Sequence, residues 1–137
     1  MVFTRLHARQ RAAGFTLIEL MVVMALITVL AGMAVVLYRN SIITSREAVL
    51  KTDLFRMRDA IDQYYADKAK YPADLQALVT DGYLREVPVD PFTNSRETWQ
   101  TVPAEIDPAN PTTEVGIYDV KSGSENTALD GSKYSEW

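Results

Sequence analysis

Residues 15–38 read FTLIELMVVMALITVLAGMAVVLY. Glu19 is the only charged side chain among them, and none follows it before Arg39. A helix that crosses the hydrocarbon core of a bilayer needs about 20 apolar residues. Lipid offers no partners to the backbone, so the segment must form its own hydrogen bonds, as a helix does. We therefore predict a membrane-spanning helix over residues 15–38.

Three interpretations of this segment are open: a secretory signal, a permanent transmembrane helix, or an anchor with a removable leader. Val29-Leu30-Ala31 before Gly32 has the small residues of a secretory cleavage site. The apolar core of a secretory signal usually runs about 7–15 residues, whereas this run includes Glu19 and continues to Tyr38. The secretory signal is therefore the third choice.

Charge and composition limit the classes of function that this chain can have. The chain has 137 residues with 14 basic and 18 acidic side chains, no cysteine and one histidine, His7. The absence of cysteine excludes disulfides, thiolate metal sites and thiol nucleophiles. A net charge of −4 disfavours binding to nucleic acid. Basic residues flank the apolar segment about equally and leave its orientation open: Arg5, Arg9 and Arg11 precede it, and Arg39, Arg46 and Lys51 follow it.

The helix is predicted to continue beyond the membrane as an amphipathic half. Apolar residues recur there in an a/d pattern: Ile43, Leu50, Leu54, Met57, Ile61 and Tyr64. We predict one helix from Phe15 to about Ala66, about 78 Å long at 1.5 Å per residue. Its stripe could form an intermolecular coiled coil or support a C-terminal head. The second is favoured, because residues 67–137 are few for a core of their own.

The polar face of this half carries oppositely charged residues one helical turn apart. Glu47 with Lys51 and Arg58 with Asp62 have the i,i+4 spacing of surface ion pairs. We expect these two pairs to face water.

The remaining residues predict a small α+β head. A short helix is expected over Pro72–Asp81, with Gly82 as its stop. Strands are expected at Trp99–Val102, Val115–Val120 and Lys133–Trp137, forming a three-stranded antiparallel sheet against the long helix. The predicted organisation is a basic leader (1–14), a transmembrane half-helix (15–38), an amphipathic half-helix (39–66) and a globular head (67–137).

The junction Gly14-Phe15, with Glu19 at the fifth position after it, follows a basic leader and opens the apolar run. This combination resembles the class III signal of type IV pilins and pseudopilins. The resemblance implies that a prepilin peptidase cuts between Gly14 and Phe15 and that Phe15 becomes N-methylated. It also implies an inner-membrane protein that crosses the membrane once, with its N-terminus cytoplasmic and its head periplasmic. Glu19 would pair with the terminal amine of a neighbouring copy during assembly, because both charges are costly in lipid alone.

Head motifs extend the resemblance to nearly the whole chain. They occur in the order found in the G-type major pseudopilin of type II secretion: Tyr71-Pro72, Tyr83-Leu84, Pro88, Asp90-Pro91-Phe92, Asn94 and Trp137. The resemblance implies a homo-oligomeric helical filament in the periplasm that supports export of folded proteins across the outer membrane. Minor pseudopilins and an inner-membrane assembly platform would be its partners.

The G-type family usually binds calcium in the loop before its terminal tryptophan. The resemblance implies Glu125 and Asp130 as side-chain ligands here, with main-chain carbonyls near Ser122 and Val120. Calcium prefers six to eight oxygen ligands. This loop is shorter and less acidic than the family pattern, and a polar turn without metal is the alternative.

Enzyme activity is not expected. The cleavage would remove His7, and the remaining chain would hold neither histidine nor cysteine, which excludes the usual nucleophile–histidine pairs. The leading hypothesis is a structural pseudopilin subunit. The alternatives are a type IV pilin for adhesion, motility or DNA uptake, and a periplasmic binding or sensor protein with one membrane span.

Overall fold

The computed structural model describes residues 14–106, 108–109 and 115–137. Its elements are α1 (Leu17–Lys68), α2 (Leu75–Thr80), β1 (Gln100–Pro103), β2 (Ile117–Lys121) and a 3₁₀ turn at Tyr134–Glu136. The predicted leader lies outside the described residues except for Gly14. The predicted long helix is confirmed, with each end within two residues of its expected place. The described chain divides into two compact units, one ending at Arg39 and the other spanning Asn40–Trp137.

The first unit is the apolar part of α1. Its side chains are exposed throughout, apolar ones included. Among the described helices, α1 is long and apolar enough to cross a membrane, with an 18-residue window of mean hydropathy 2.8. Exposed apolar surface of this extent is unfavourable in water, and it is consistent with a membrane anchor.

The second unit is built on the amphipathic part of α1. Residues of the predicted stripe are buried there: Leu50, Leu54, Met57, Ile61 and Tyr64. They form one core cluster with side chains of the head, among them Leu78, Trp99, Val120 and Tyr134. Burying a large apolar side chain contributes about 1.5–3 kcal/mol. The prediction that the stripe supports the head is therefore confirmed.

The short helix α2 begins three residues later than predicted. Asp74 is its N-cap, and the Asp74 carboxylate accepts a hydrogen bond from the Ala77 N–H at 2.7 Å. Pro72 instead lies buried ahead of the helix, where its carbonyl accepts from the Ile117 N–H at 2.8 Å. Gly82, with φ of 83°, follows the helix as expected.

The sheet has two strands among the described residues, not the three predicted. β1 and β2 pair antiparallel, with Gln100 opposite Lys121. The prediction of a strand at Lys133–Trp137 is wrong: an isolated bridge joins Lys133 to Thr127, and a 3₁₀ turn follows.

Aromatic packing explains the 3₁₀ turn. The Tyr134 ring stacks on Phe92 with centroids 3.9 Å apart, and Trp137 meets Tyr134 edge-on at 5.0 Å. Residues three apart lie on the same side of a 3₁₀ turn, whereas a strand would place them on opposite faces. The turn therefore allows both rings to join one cluster.

Candidate functional site

The predicted processing site lies just before the first turn of α1. Gly14 and Phe15 precede the helix, and the Phe15 side chain is 87% exposed. A methyl group added to Gly14 would meet nothing within 4 Å. The bond between these residues therefore lies in non-helical backbone.

Glu19 lies in the first turn of α1 with its side chain exposed. Its N–H donates to Thr16 Oγ1 at 3.2 Å, so Thr16 satisfies one of the free donors of the helix start. The Glu19 carboxylate makes no hydrogen bond or ion pair with another described residue.

The residues predicted to hold calcium are engaged elsewhere. The Val120 carbonyl accepts from Arg58 Nη2 at 2.9 Å. Glu125 pairs with the Lys133 ammonium at 3.6 Å. The Asp130 carboxylate accepts from both the N–H and the hydroxyl of Ser132, and these bonds hold the pKa of Asp130 below its usual value.

Ser122, the fourth predicted residue, is fully buried. Its hydroxyl donates to the Asp90 carboxylate at 2.5 Å and accepts from the Ser124 N–H at 3.1 Å. Asp90 is also fully buried and accepts from the Phe92 N–H at 2.8 Å. This network joins the loop around Asp90 to the chain after β2, and its buried groups are satisfied as burial demands.

As arranged, this donor set does not fit calcium. The Val120 carbonyl and the Glu125 carboxylate each already face a cationic side chain. Within the described ranges, no three or more acidic, histidine or cysteine residues converge to hold a metal. The calcium site stays a prediction.

The sequence does not reveal the structural roles of Glu47 and Arg58, which join α1 to distant parts of the head. Each was expected in a surface pair, with Lys51 and Asp62 respectively, and this expectation is wrong. Arg58 Nε donates to the Asp119 carboxylate at 2.7 Å, and Nη2 also reaches the Trp137 main-chain oxygen at 2.9 Å. The guanidinium thereby ties α1 to β2 and to residues 129–137, here called the C-terminal segment.

Glu47 makes the second tie between α1 and the C-terminal segment. Its Oε1 accepts from the Leu129 N–H and from the Tyr134 hydroxyl, each at 2.9 Å. Burial and the neighbouring Glu47 raise the pKa of Tyr134 to about 12. A sequence signal for Glu47 existed, because it precedes the buried Leu50 by three residues and so borders the apolar stripe.

Arg58 gives the same signal, since it follows the buried Leu54 by four residues. Arg58 lies eleven positions after Glu47, close to three full turns of the helix. The two charged side chains therefore lie on one side of α1, directed at the head.

A cleft of about 690 Å³ opens on the head between α1 and the loop after α2. Asp53, only 9% exposed, lines it, together with Arg56, Arg85 and Glu86. Burial raises the pKa of Asp53, while Arg56 opposes that rise. Asp53 makes no hydrogen bond or ion pair with another described residue, and its carboxylate faces the cleft.

Comparisons with known proteins agree with the N-terminal pattern. A family described as the prokaryotic N-terminal methylation motif matches residues 9–35. This range contains Gly14, Phe15 and Glu19.

Similar curated proteins include the type II secretion system core protein G of Klebsiella michiganensis, 36% identical over 101 residues, or 61% of this chain and 70% of the relative. The protein of the same name from Pseudomonas aeruginosa is 34% identical, over 63% of this chain and 72% of the relative. Fimbrial protein EcpC of Eikenella corrodens is 35% identical over 59% of this chain and 56% of its own length. No solved structure matches the chain.

Proposed function

The chain belongs to the family of type II secretion system core protein G, and we propose on this basis that it is a pseudopilin, a structural subunit of the secretion pseudopilus. The observation that carries the proposal is the 36% identity to such a protein over 70% of that relative's length. The methylation motif over residues 9–35 supports it independently of the head.

In this function the subunit is anchored by the apolar part of α1 in the inner membrane, with its N-terminus cytoplasmic and its head periplasmic. The division into leader 1–14, membrane half 15–38, amphipathic half 39–66 and head 67–137 remains part of the proposal. Many copies would form a helical filament, assembled with minor pseudopilins on an inner-membrane platform. A deletion strain complemented with this chain tests the proposal: we expect release of folded exoproteins to be restored. Unchanged release in the deletion strain would refute the role in secretion.

Processing is proposed to occur between Gly14 and Phe15 by a prepilin peptidase, with N-methylation of Phe15. The exposed, non-helical position of these residues supports access. Mass spectrometry of the mature N-terminus tests this directly. N-methyl-Phe15 is the expected result; a chain beginning at Gly32 would indicate a secreted protein, and one retaining Met1 an ordinary membrane anchor.

Glu19 is proposed to set the position of one subunit on the next by pairing with the Phe15 amine of a neighbouring copy. A charged side chain costs about 2.5–3.5 kcal/mol at the bilayer centre, and pairing offsets that cost for both groups. The free Glu19 carboxylate in the first turn of α1 supports the proposal. Removing the Glu19 charge should make insertion of α1 into the membrane easier, whereas filament assembly loses the ion pair.

The test compares Glu19→Ala with Asp62→Ala, which removes an exposed acid further along the same helix. We expect Glu19→Ala to reduce cross-linked filaments at least tenfold while its membrane abundance is unchanged. Asp62→Ala should assemble normally. Filaments of Glu19→Ala at normal abundance would refute the pairing.

A second candidate is a type IV pilin, favoured by the 35% identity to fimbrial protein EcpC. That match covers 56% of the fimbrial protein, less than the matches to core protein G. Electron microscopy of surface fibres in the deletion strain separates the two: loss of fibres with normal exoprotein release would favour the pilin.

A further inference from the structure

We propose that Arg58 fastens the C-terminal segment of the head by occupying, with its own positive charge, the role that the family resemblance gives to calcium. The fold of this head then does not depend on a divalent cation. The proposal concerns the stability of the second unit alone. Its failure would leave the pseudopilin assignment untouched.

Three oxygens, two from neighbouring residues of β2 and one from Trp137, converge on one guanidinium. The Asp119 carboxylate lies 2.7 Å from Nε, and the main-chain oxygens of Val120 and Trp137 each lie 2.9 Å from Nη2. A carboxylate with main-chain carbonyls is the kind of oxygen set that also suits a hard cation. In this head the planar guanidinium of Arg58 binds these oxygens, and its directed N–H donors fix each oxygen in position.

Asp119 is itself held in place for this contact. The oxygen that receives Arg58 Nε also accepts from the Val120 N–H at 2.7 Å. The carboxylate therefore balances the guanidinium charge in a partly buried setting, where an unpaired charge would be costly. Arg58 is thus matched in both charge and geometry.

Other side chains of α1, which precede Arg58 in the helix, support the same segment. The Lys51 ammonium lies 4.4 Å from the centre of the Trp137 ring, a cation–π contact. Glu47 holds Leu129 and Tyr134 through two hydrogen bonds. The C-terminal segment is consequently attached to α1 at several points along its length by groups of the chain itself.

Calcium binding at the predicted ligands would have to disrupt these contacts. The Val120 carbonyl is shared with Arg58, whose positive charge repels a cation. The Glu125 carboxylate would have to leave Lys133. The energetic gain from the ion would then be offset by the loss of interactions that already stabilise the head.

The experiment measures unfolding of the full chain in detergent micelles, followed by tryptophan fluorescence, with millimolar calcium or with excess EGTA. We expect the wild-type melting temperature to be the same in both conditions. Arg58→Met should lower it by about 10 °C, because several hydrogen bonds to a charged group are lost. Added calcium should not restore it.

Arg58→Lys keeps the charge without the fork and should recover less than half of that loss. Arg46→Met is the matched control, since Arg46 is exposed on the same helix; it should stay within about 2 °C of wild type. An Arg58→Met protein as stable as wild type would overturn the proposal. So would a wild-type melting temperature that falls in EGTA as far as the Arg58→Met substitution lowers it.

Should Arg58→Met fail to fold, calorimetric titration of the wild type with calcium decides the question without a variant. Absence of saturable binding supports the proposal. Saturable binding that raises the melting temperature overturns it.

Discussion

Replacing Glu47 tests how strongly α1 holds the C-terminal segment. In the folded head its Oε1 accepts the Tyr134 hydroxyl and the Leu129 N–H, both at 2.9 Å. Tyr134 is only 1% exposed, so water does not readily replace the lost acceptor. Glu47→Ala therefore leaves a buried hydroxyl without its partner, the more costly way to remove a hydrogen bond.

The expected magnitude follows from these contacts. A hydrogen bond to a charged group contributes about 1.5–3 kcal/mol, and an orphaned buried hydroxyl costs about 1–3 kcal/mol. We expect Glu47→Ala to reduce the free energy of unfolding by about 2–3 kcal/mol. For a unit the size of Asn40–Trp137, this lowers the melting temperature by about 10–15 °C.

Tyr134→Phe should cost less, about 1 kcal/mol, because it removes the hydroxyl together with its bond. Once Phe is present, Glu47→Ala should cost about 1–2 kcal/mol less than it does alone. Urea unfolding of the two single variants and the double variant in micelles, followed by near-UV circular dichroism, measures this coupling.

Two results would refute the reasoning. The first is a Glu47→Ala protein within about 0.5 kcal/mol of wild type, the range of ordinary surface substitutions. The second is strict additivity of the two substitutions, which would mean that Glu47 and Tyr134 do not act together.

Three further outcomes are expected. Gly123→Ala should destabilise the head by at least about 2 kcal/mol, because the added Cβ would lie 1.9 Å from the Thr98 carbonyl oxygen. Gly32→Ala is the control, because a Cβ at Gly32 meets nothing within 4 Å. Equal urea midpoints for the two variants would contradict the packing at Gly123. Asp53→Asn should stabilise the head at pH 7 by up to about 1 kcal/mol. Burial raises the pKa of Asp53, so the folded state binds its proton more tightly and the gain should vanish below pH 3; a loss of stability at pH 7 would contradict this. Alkaline pH should destabilise the head: the unfolded chain releases the Tyr134 proton near pH 10 and the folded one near pH 12. Urea unfolding between these values should therefore show falling stability, with a shallower slope in Tyr134→Phe.

Features set by neighbouring residues were predictable from the sequence. The apolar run after Phe15 and the heptad spacing from Leu50 to Tyr64 lie on one helix, and α1 begins and ends within two residues of its predicted bounds. The start of α2 was less predictable from the sequence, because Asp74 and Pro72 both fit a helix start. The contact of Pro72 with Ile117 in a distant strand decided between them.

The sequence by itself determined that the chain is an apolar helix followed by an amphipathic one, with a motif at Gly14-Phe15 that matches the prokaryotic N-terminal methylation motif. Both signals are periodic or local and depend little on distant contacts. The tertiary structure decided the roles of Glu47 and Arg58, and it turned the expected last strand into a 3₁₀ turn. The partners of Glu47 and Arg58 lie 61 to 87 residues away in the chain. The local spacing of charges carries no information about contacts so distant. Packing of Tyr134 and Trp137 into one aromatic cluster outweighed their strand propensity, because only a turn places both rings on the same side.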